Sequence, residues 1–200
     1  MDKRITLGIK LAIAVGFIIS IVSFFMIFID LNPINIERAL SGVDIIKLPE
    51  AMKEHSSTLN IISLFAPGLI ASVEDALMII SRCLIAINII SFLGAFLTLV
   101  LRKRKGFVAA ISTVAINIAI LLFVYLRSSG EVNNLKEAIG DTLDKFMSLI
   151  GGNLSFTGNV EAGEMLGSGV KLWLAAQGLV FLLSIIGLIF KERQEAKKTA

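Results

Sequence analysis

Residues 76–126 read ALMIISRCLIAINIISFLGAFLTLVLRKRKGFVAAISTVAINIAILLFVYL, and the four basic residues in the middle of this stretch decide the fold. On one side, Ala76–Leu101 is long enough to cross a hydrocarbon core of about 30 Å, and on the other Phe107–Leu126 is too. Only Gly106 separates the cluster Arg102, Lys103, Arg104, Lys105 from the second apolar run. The two runs therefore form a tight antiparallel membrane hairpin whose turn is strongly positive.

Two further runs complete the set. Residues 11–29 (LAIAVGFIISIVSFFMIFI) carry no charge and follow Lys3, Arg4 and Lys10, which gives a first span over about 5–29. That run exceeds the apolar core of a signal peptide, and Asp30-Leu31-Asn32-Pro33 offers no small-residue cleavage site. The fourth span covers about 170–190, ahead of the tail KERQEAKKTA. The whole chain, 200 residues with 56% hydrophobic and 18% charged side chains, has a mean hydropathy of +0.85, which calls for lipid as solvent.

Orientation follows from the basic residues. Lys3, Arg4, Lys10, Arg102, Lys103, Arg104, Lys105, Lys191, Arg193, Lys197 and Lys198 lie at one side, with only Asp2, Glu192 and Glu195 among them. The other side holds thirteen acids and eight bases. The positive-inside rule then places both termini and the short turn in the cytoplasm of a cell (plasma or inner) membrane. The same placement explains the net charge of +3 without a nucleic-acid partner.

The outer loops are residues 30–75 and 127–169. In the second, Val132, Leu135, Ile139, Leu143, Phe146 and Ile150 recur every three or four residues among charges, predicting an amphipathic helix over 131–150 that stops at Gly151-Gly152 and presents a contact surface. In the first, helices are predicted over 34–40 and 49–55, the latter with Pro49 at its first position. Residues 59–73 are apolar, interrupted by Pro67-Gly68 and too short to span; they are read as interfacial or re-entrant, as part of an outer cap, or as an upward extension of span two. Neither loop shows an alternating strand pattern. The expected fold is thus an all-α integral membrane protein, a single four-span domain with two helical extracytoplasmic loops.

Polar groups inside the spans are the places to look for function, because each is costly in hydrocarbon without a partner. Asn88 and Asn117 lie at similar depth, within a few ångström at 1.5 Å per residue, so the two amides are candidates to meet across the hairpin. Arg82 falls at the outer interface, where snorkelling or pairing with Glu74 or Asp75 accounts for it. Gln177 sits below Lys171 in span four. In span one, Gly8, Ala12, Gly16 and Ser20 form a four-residue repeat of small side chains suited to close helix packing, within the chain or against a second subunit.

Catalytic groups are not found. Cys83 is the only cysteine and His55 the only histidine, so an intramolecular disulfide and a Cys-pair metal or redox motif are excluded, and His55 lacks the second histidine or cysteine that a metal site would want. No carboxylate lies within a span core, and no nucleophile sits beside a base. Claudins and tetraspanins share the four-span layout, but the chain lacks an external cysteine pair, a Cys-Cys-Gly motif and a tryptophan in its first outer loop. The expectation is a non-enzymatic membrane subunit or assembly scaffold without cofactor, surrounded by membrane lipids and contacting a protein partner or its own copies through the outer loops. An oligomeric channel or transporter, lined by polar residues of spans two to four, is the alternative.

Overall fold

A computed structural model describes residues 3–30, 39–54, 69–101, 104–126 and 166–199. Four long helices form a bundle: α1 (Lys3–Val22), α3 (Leu69–Val100), α4 (Arg104–Leu126) and α5 (Ser168–Thr199), with the shorter α2 (Gly42–Glu54) packed against α3. The segments Arg4–Phe25, Asp75–Val100, Arg104–Leu126 and Ser168–Phe190 are each long and apolar enough to cross a membrane, so the protein is a mostly helical multi-pass membrane protein. Their outward faces carry large apolar side chains such as Leu11, Val15, Phe92, Phe96, Leu122 and Leu182, a surface that only lipid solvates well.

Span one ends earlier than its apolar run. The α-helix stops at Val22, a 3₁₀ turn follows over Ser23–Phe25, and Ile27–Asp30 is a strand, β1. Two hydroxyls bond back along the helix at this point, Ser20 Oγ to the Gly16 carbonyl at 3.1 Å and Ser23 Oγ to the Ser20 carbonyl at 2.6 Å. Back-bonding of this kind competes with the helical ladder and bends it. Beyond it the chain reads Phe-Phe-Met-Ile-Phe-Ile, a β-branched and aromatic composition that suits a strand as well as a helix. Strand β1 pairs antiparallel with β2 (Ala39–Ser41), with an irregularity between Ile27 and Ile29, and Ile29 also bridges Leu166. The all-helical expectation is corrected by this small sheet, and Ala39-Leu40 is strand where helix was predicted.

Helix α2 is also displaced from its predicted start. Its N-cap is Ser41, whose Oγ accepts the Asp44 N–H at 3.1 Å while the Asp44 carboxylate accepts the Ser41 N–H at 2.9 Å. This reciprocal pair is a capping box, so the helix begins at Gly42 and Pro49 lies inside it. The Ser81 hydroxyl of α3 donates to the Ile46 carbonyl at 3.0 Å and ties the two helices together. Residues 69–73 belong to α3, an upward extension of span two beginning directly after Pro67-Gly68. The predicted helix 131–150, with Val132, Leu135, Ile139, Leu143, Phe146 and Ile150, lies outside the described residues, as does 59–68.

The bundle has two distinct ends. At one, the Lys10 ammonium donates to the Leu101 carbonyl at the end of α3 and sits 5.9 Å from the Phe107 ring centre. A cation at a helix C-terminus meets the orphan carbonyls and the negative end of the dipole. At the other end, β1, β2, α2 and the start of α5 form a cap. Backbones approach closely there: a Cβ on Gly169 would lie 2.6 Å from the Ser23 carbonyl oxygen and 2.9 Å from that of Ile27, and Gly167 N–H donates to the Phe28 carbonyl at 3.0 Å.

Candidate functional site: a polar layer inside the bundle

Two apolar clusters occupy the interior, and what separates them is the candidate site. The outer cluster, so called only because it lies at the cap end of the bundle, comprises Phe24, Phe28, Ile45, Leu84, Ile87, Val170 and Trp173, with the Phe24 and Phe28 rings stacked at 4.8 Å. The inner cluster comprises Ile13, Phe17, Phe107, Ala110, Val114 and Val180. Each span places a buried polar residue between the two: Ser20, with Ser23, between Phe17 and Phe24, Ser91 below Ile87, Asn117 beyond Val114, and Gln177, beside Ala176, between Trp173 and Val180. Ser20, Ser91, Asn117 and Gln177 are each at most 1% exposed.

The helix registers place these four at one height. Gly187 is packed against the Phe107 ring, and ten residues further along each antiparallel helix Asn117 and Gln177 come to the same height. A Cβ on Gly94 would lie 2.5 Å from the Thr113 methyl, which sets the register of the α3–α4 hairpin one turn below the Ser91–Asn117 pair. A Cβ on Gly16 would lie 2.5 Å from a Val180 methyl, one turn below the Ser20–Gln177 pair. Asn117 and Gln177 are each thirteen residues from one end of their spans and nine from the other, so both lie about 3 Å from the midpoint of their spans.

Within the layer, Asn117 Nδ2 donates to Ser91 Oγ at 2.9 Å and Gln177 Nε2 donates to Ser20 Oγ at 3.1 Å. Because the Ser20 hydroxyl itself donates to the Gly16 carbonyl, it is left as an acceptor for Gln177, which fixes which end of that amide points to α1. Each amide therefore ties a different pair of spans, α4 to α3 and α5 to α1. Their oxygens, Asn117 Oδ1 and Gln177 Oε1, are buried and have no donor among the described residues. One turn toward the cap on the Gln177 face of α5, the buried Trp173 Nε1–H has no acceptor among the described residues. Leaving such groups unsatisfied costs about 1–3 kcal/mol each.

The predicted site residues divide accordingly. Asn88 and Asn117 do not meet: Asn88 Nδ2 turns back to the Leu84 carbonyl of its own helix at 3.0 Å, and Ser91, one turn nearer the α3–α4 turn, takes its place. Gln177 enters the layer. Arg82 is exposed on α3, outside it. The small-residue repeat splits, with Gly16 and Ser20 packed on α5 inside the bundle, Ala12 exposed, and Gly8 having nothing within 4 Å of a Cβ. Ser91 and Ser20 are the members that sequence reading did not assign to a polar site. Counting equal depths from the span ends Leu101 and Phe107 would have paired Asn117 with position 91 rather than 88.

Among the described residues no group of three His, Cys, Asp or Glu side chains is placed to hold a metal ion. The layer consists of neutral amides and hydroxyls, which bind and orient by hydrogen bonding and supply neither a nucleophile with a base nor a general acid. No protein family, curated protein or solved structure matches the chain.

Proposed function

We propose that the chain is a non-enzymatic multi-pass membrane subunit or assembly scaffold, with both termini cytoplasmic, that works through its capped outer end and through helix packing. The observation that carries this reading is how the bundle spends its polar residues. Each amide of the layer is used to join spans, and close-packed apolar clusters lie above and below, while the opposite end from the basic turn bears a built cap of β1, β2 and α2. A scaffold needs a fixed bundle and a shaped, exposed end.

The alternative, an oligomeric channel or transporter of small solutes, draws support from one observation: two amide oxygens with no donor among the described residues lie near the middle of their spans. The two readings differ in what mutation does. On the scaffold reading, Asn117→Leu leaves function nearly intact and charge reversal at Glu137, Asp141 and Asp144 of the second outer loop abolishes it; on the channel reading the effects are exchanged. The deciding experiment is mass determination of the protein extracted into nanodiscs from its native membrane. A different protein in fixed stoichiometry is the expected result; a pure homo-oligomer with Asn117-dependent solute flux overturns the proposal.

A further inference from the structure

The polar layer offers a hydrogen-bonding deficit with a definite composition. Two buried oxygens, Asn117 Oδ1 and Gln177 Oε1, need donors, and the register of the packed α4–α5 pair puts their residues at one height in the bundle interior. One buried N–H, Trp173 Nε1, needs an acceptor and stands one helical turn outward on the same face of α5 as Gln177. Residues one turn apart on a helix face are neighbours, and long helical side chains lean toward the N-terminus, so the Gln177 amide leans over the turn that carries Trp173.

We infer that this layer is a buried hydration site, in which a water donates to Asn117 Oδ1 and Gln177 Oε1 and accepts the Trp173 indole N–H, sealed between the outer and inner apolar clusters. Buried waters in proteins make about three hydrogen bonds to groups otherwise unsatisfied. Two donors and one acceptor are the complement of what these residues present. A monovalent cation fits poorly: it has no lone pair for the indole, it brings a net charge into a neutral layer, and stripping its hydration shell takes a fuller ring of oxygens than two amides supply. Exchanging O and N in the Asn117 amide puts an NH₂ in place of the oxygen; the number of groups without a partner stays the same, and the water would then accept from that amide and from the indole and donate to Gln177 Oε1. The inference holds on either reading of function, since a water can lock a scaffold or stand in a solute path.

The full-length chain in nanodiscs, labelled with ¹⁵N, provides the test. Trp173 is the only tryptophan, so its indole N–H gives one unambiguous resonance in solid-state NMR. Short-mixing transfer of magnetisation from water protons to Trp173 Nε1 and to the Asn117 and Gln177 side-chain amides is expected in the unaltered protein. In the double variant Asn117→Leu/Gln177→Leu the transfer to Trp173 should vanish while backbone shifts of α4 and α5 hold. Absence of transfer in the unaltered chain overturns the inference without recourse to any variant. So does transfer to Trp173 that persists undiminished in the double variant, and so do amide carbonyl shifts that follow exchange of sodium for potassium, which would assign the layer to an ion.

Discussion

Gly16 and Gly8 belong to the same repeat in span one, yet only the first has a neighbour. A Cβ at Gly16 meets a Val180 methyl at 2.5 Å, whereas Gly8 faces open space. Overpacking a close contact of this kind costs about 1–3 kcal/mol. Gly16→Val is therefore expected to destabilise the bundle by that amount and Gly8→Val to leave it unchanged, as measured by reversible unfolding in bicelles. Asn117 gives a second comparison. Replacing it with Leu removes one hydrogen bond, which in membrane bundles averages about 0.6 kcal/mol, but also removes a buried oxygen without a protein donor. The net change is expected to stay within about 1 kcal/mol, while Asn117→Lys places a charge near mid-membrane at about 2.5–3.5 kcal/mol. Equal losses from the two substitutions would contradict the account of the layer.

At the scale of elements, the hydrogen bonds that Asp44 accepts from the Ser41 hydroxyl and backbone N–H hold its carboxyl below the usual carboxylate range, with the Lys47 charge a smaller contribution. A carboxyl whose value is lowered in the folded protein stabilises it above the unfolded value, about 3.9, and that stabilisation is lost as pH falls through the lower folded value. The protection of α2 amides, corrected for the intrinsic pH dependence of exchange, should thus be flat from neutral pH to about 5 and fall only below about 4. Ser41→Ala is expected to raise α2 exchange at every pH by the equivalent of about 1 kcal/mol, with α1 and α4 unaffected. This cap was within reach of sequence reading, since Ser41-Gly-Val-Asp44 has the spacing of a capping box; Pro49 drew attention instead because proline favours a first turn. The end of span one was harder to read. Nothing in the apolar run 11–29 changes hydropathy at Val22, and it is the pair Ser20 and Ser23, bonded back to the backbone, that accompanies the change from helix to strand.

For the molecule as a whole, the four spans were legible because hydropathy and length alone specify a membrane helix. The polar layer was half legible. Asn117 and Gln177 stand out in hydrocarbon, but Ser20 and Ser91 acquire meaning only when the registers of all four helices are known, and serine is an ordinary residue in a membrane helix. The distribution of charge carries one more prediction. In a Cys83→Ser background, single cysteines at Lys105 and Lys197 should react with an impermeant thiol reagent only after the cytoplasmic face is exposed, and one at Lys47, in the cap, should react from outside in intact cells. Labelling with the opposite polarity would invert the topology and move the cap to the cytoplasm.

Lys10 and Leu101 are ninety-one residues apart, and the bond between them bears on how the protein is made. A translocon releases spans in order, so the ammonium of the first span waits while α2 and α3 are synthesised, its acceptor not yet formed. Spans two and three then enter with only a few residues between them, and the carbonyl that Lys10 requires is delivered by the same turn whose charges hold it at the membrane surface. Completion of that turn is thus the earliest moment at which the Lys10 ammonium can meet its acceptor, so span one, even when packed along α3, carries an unsatisfied charge until residue 101 is in place.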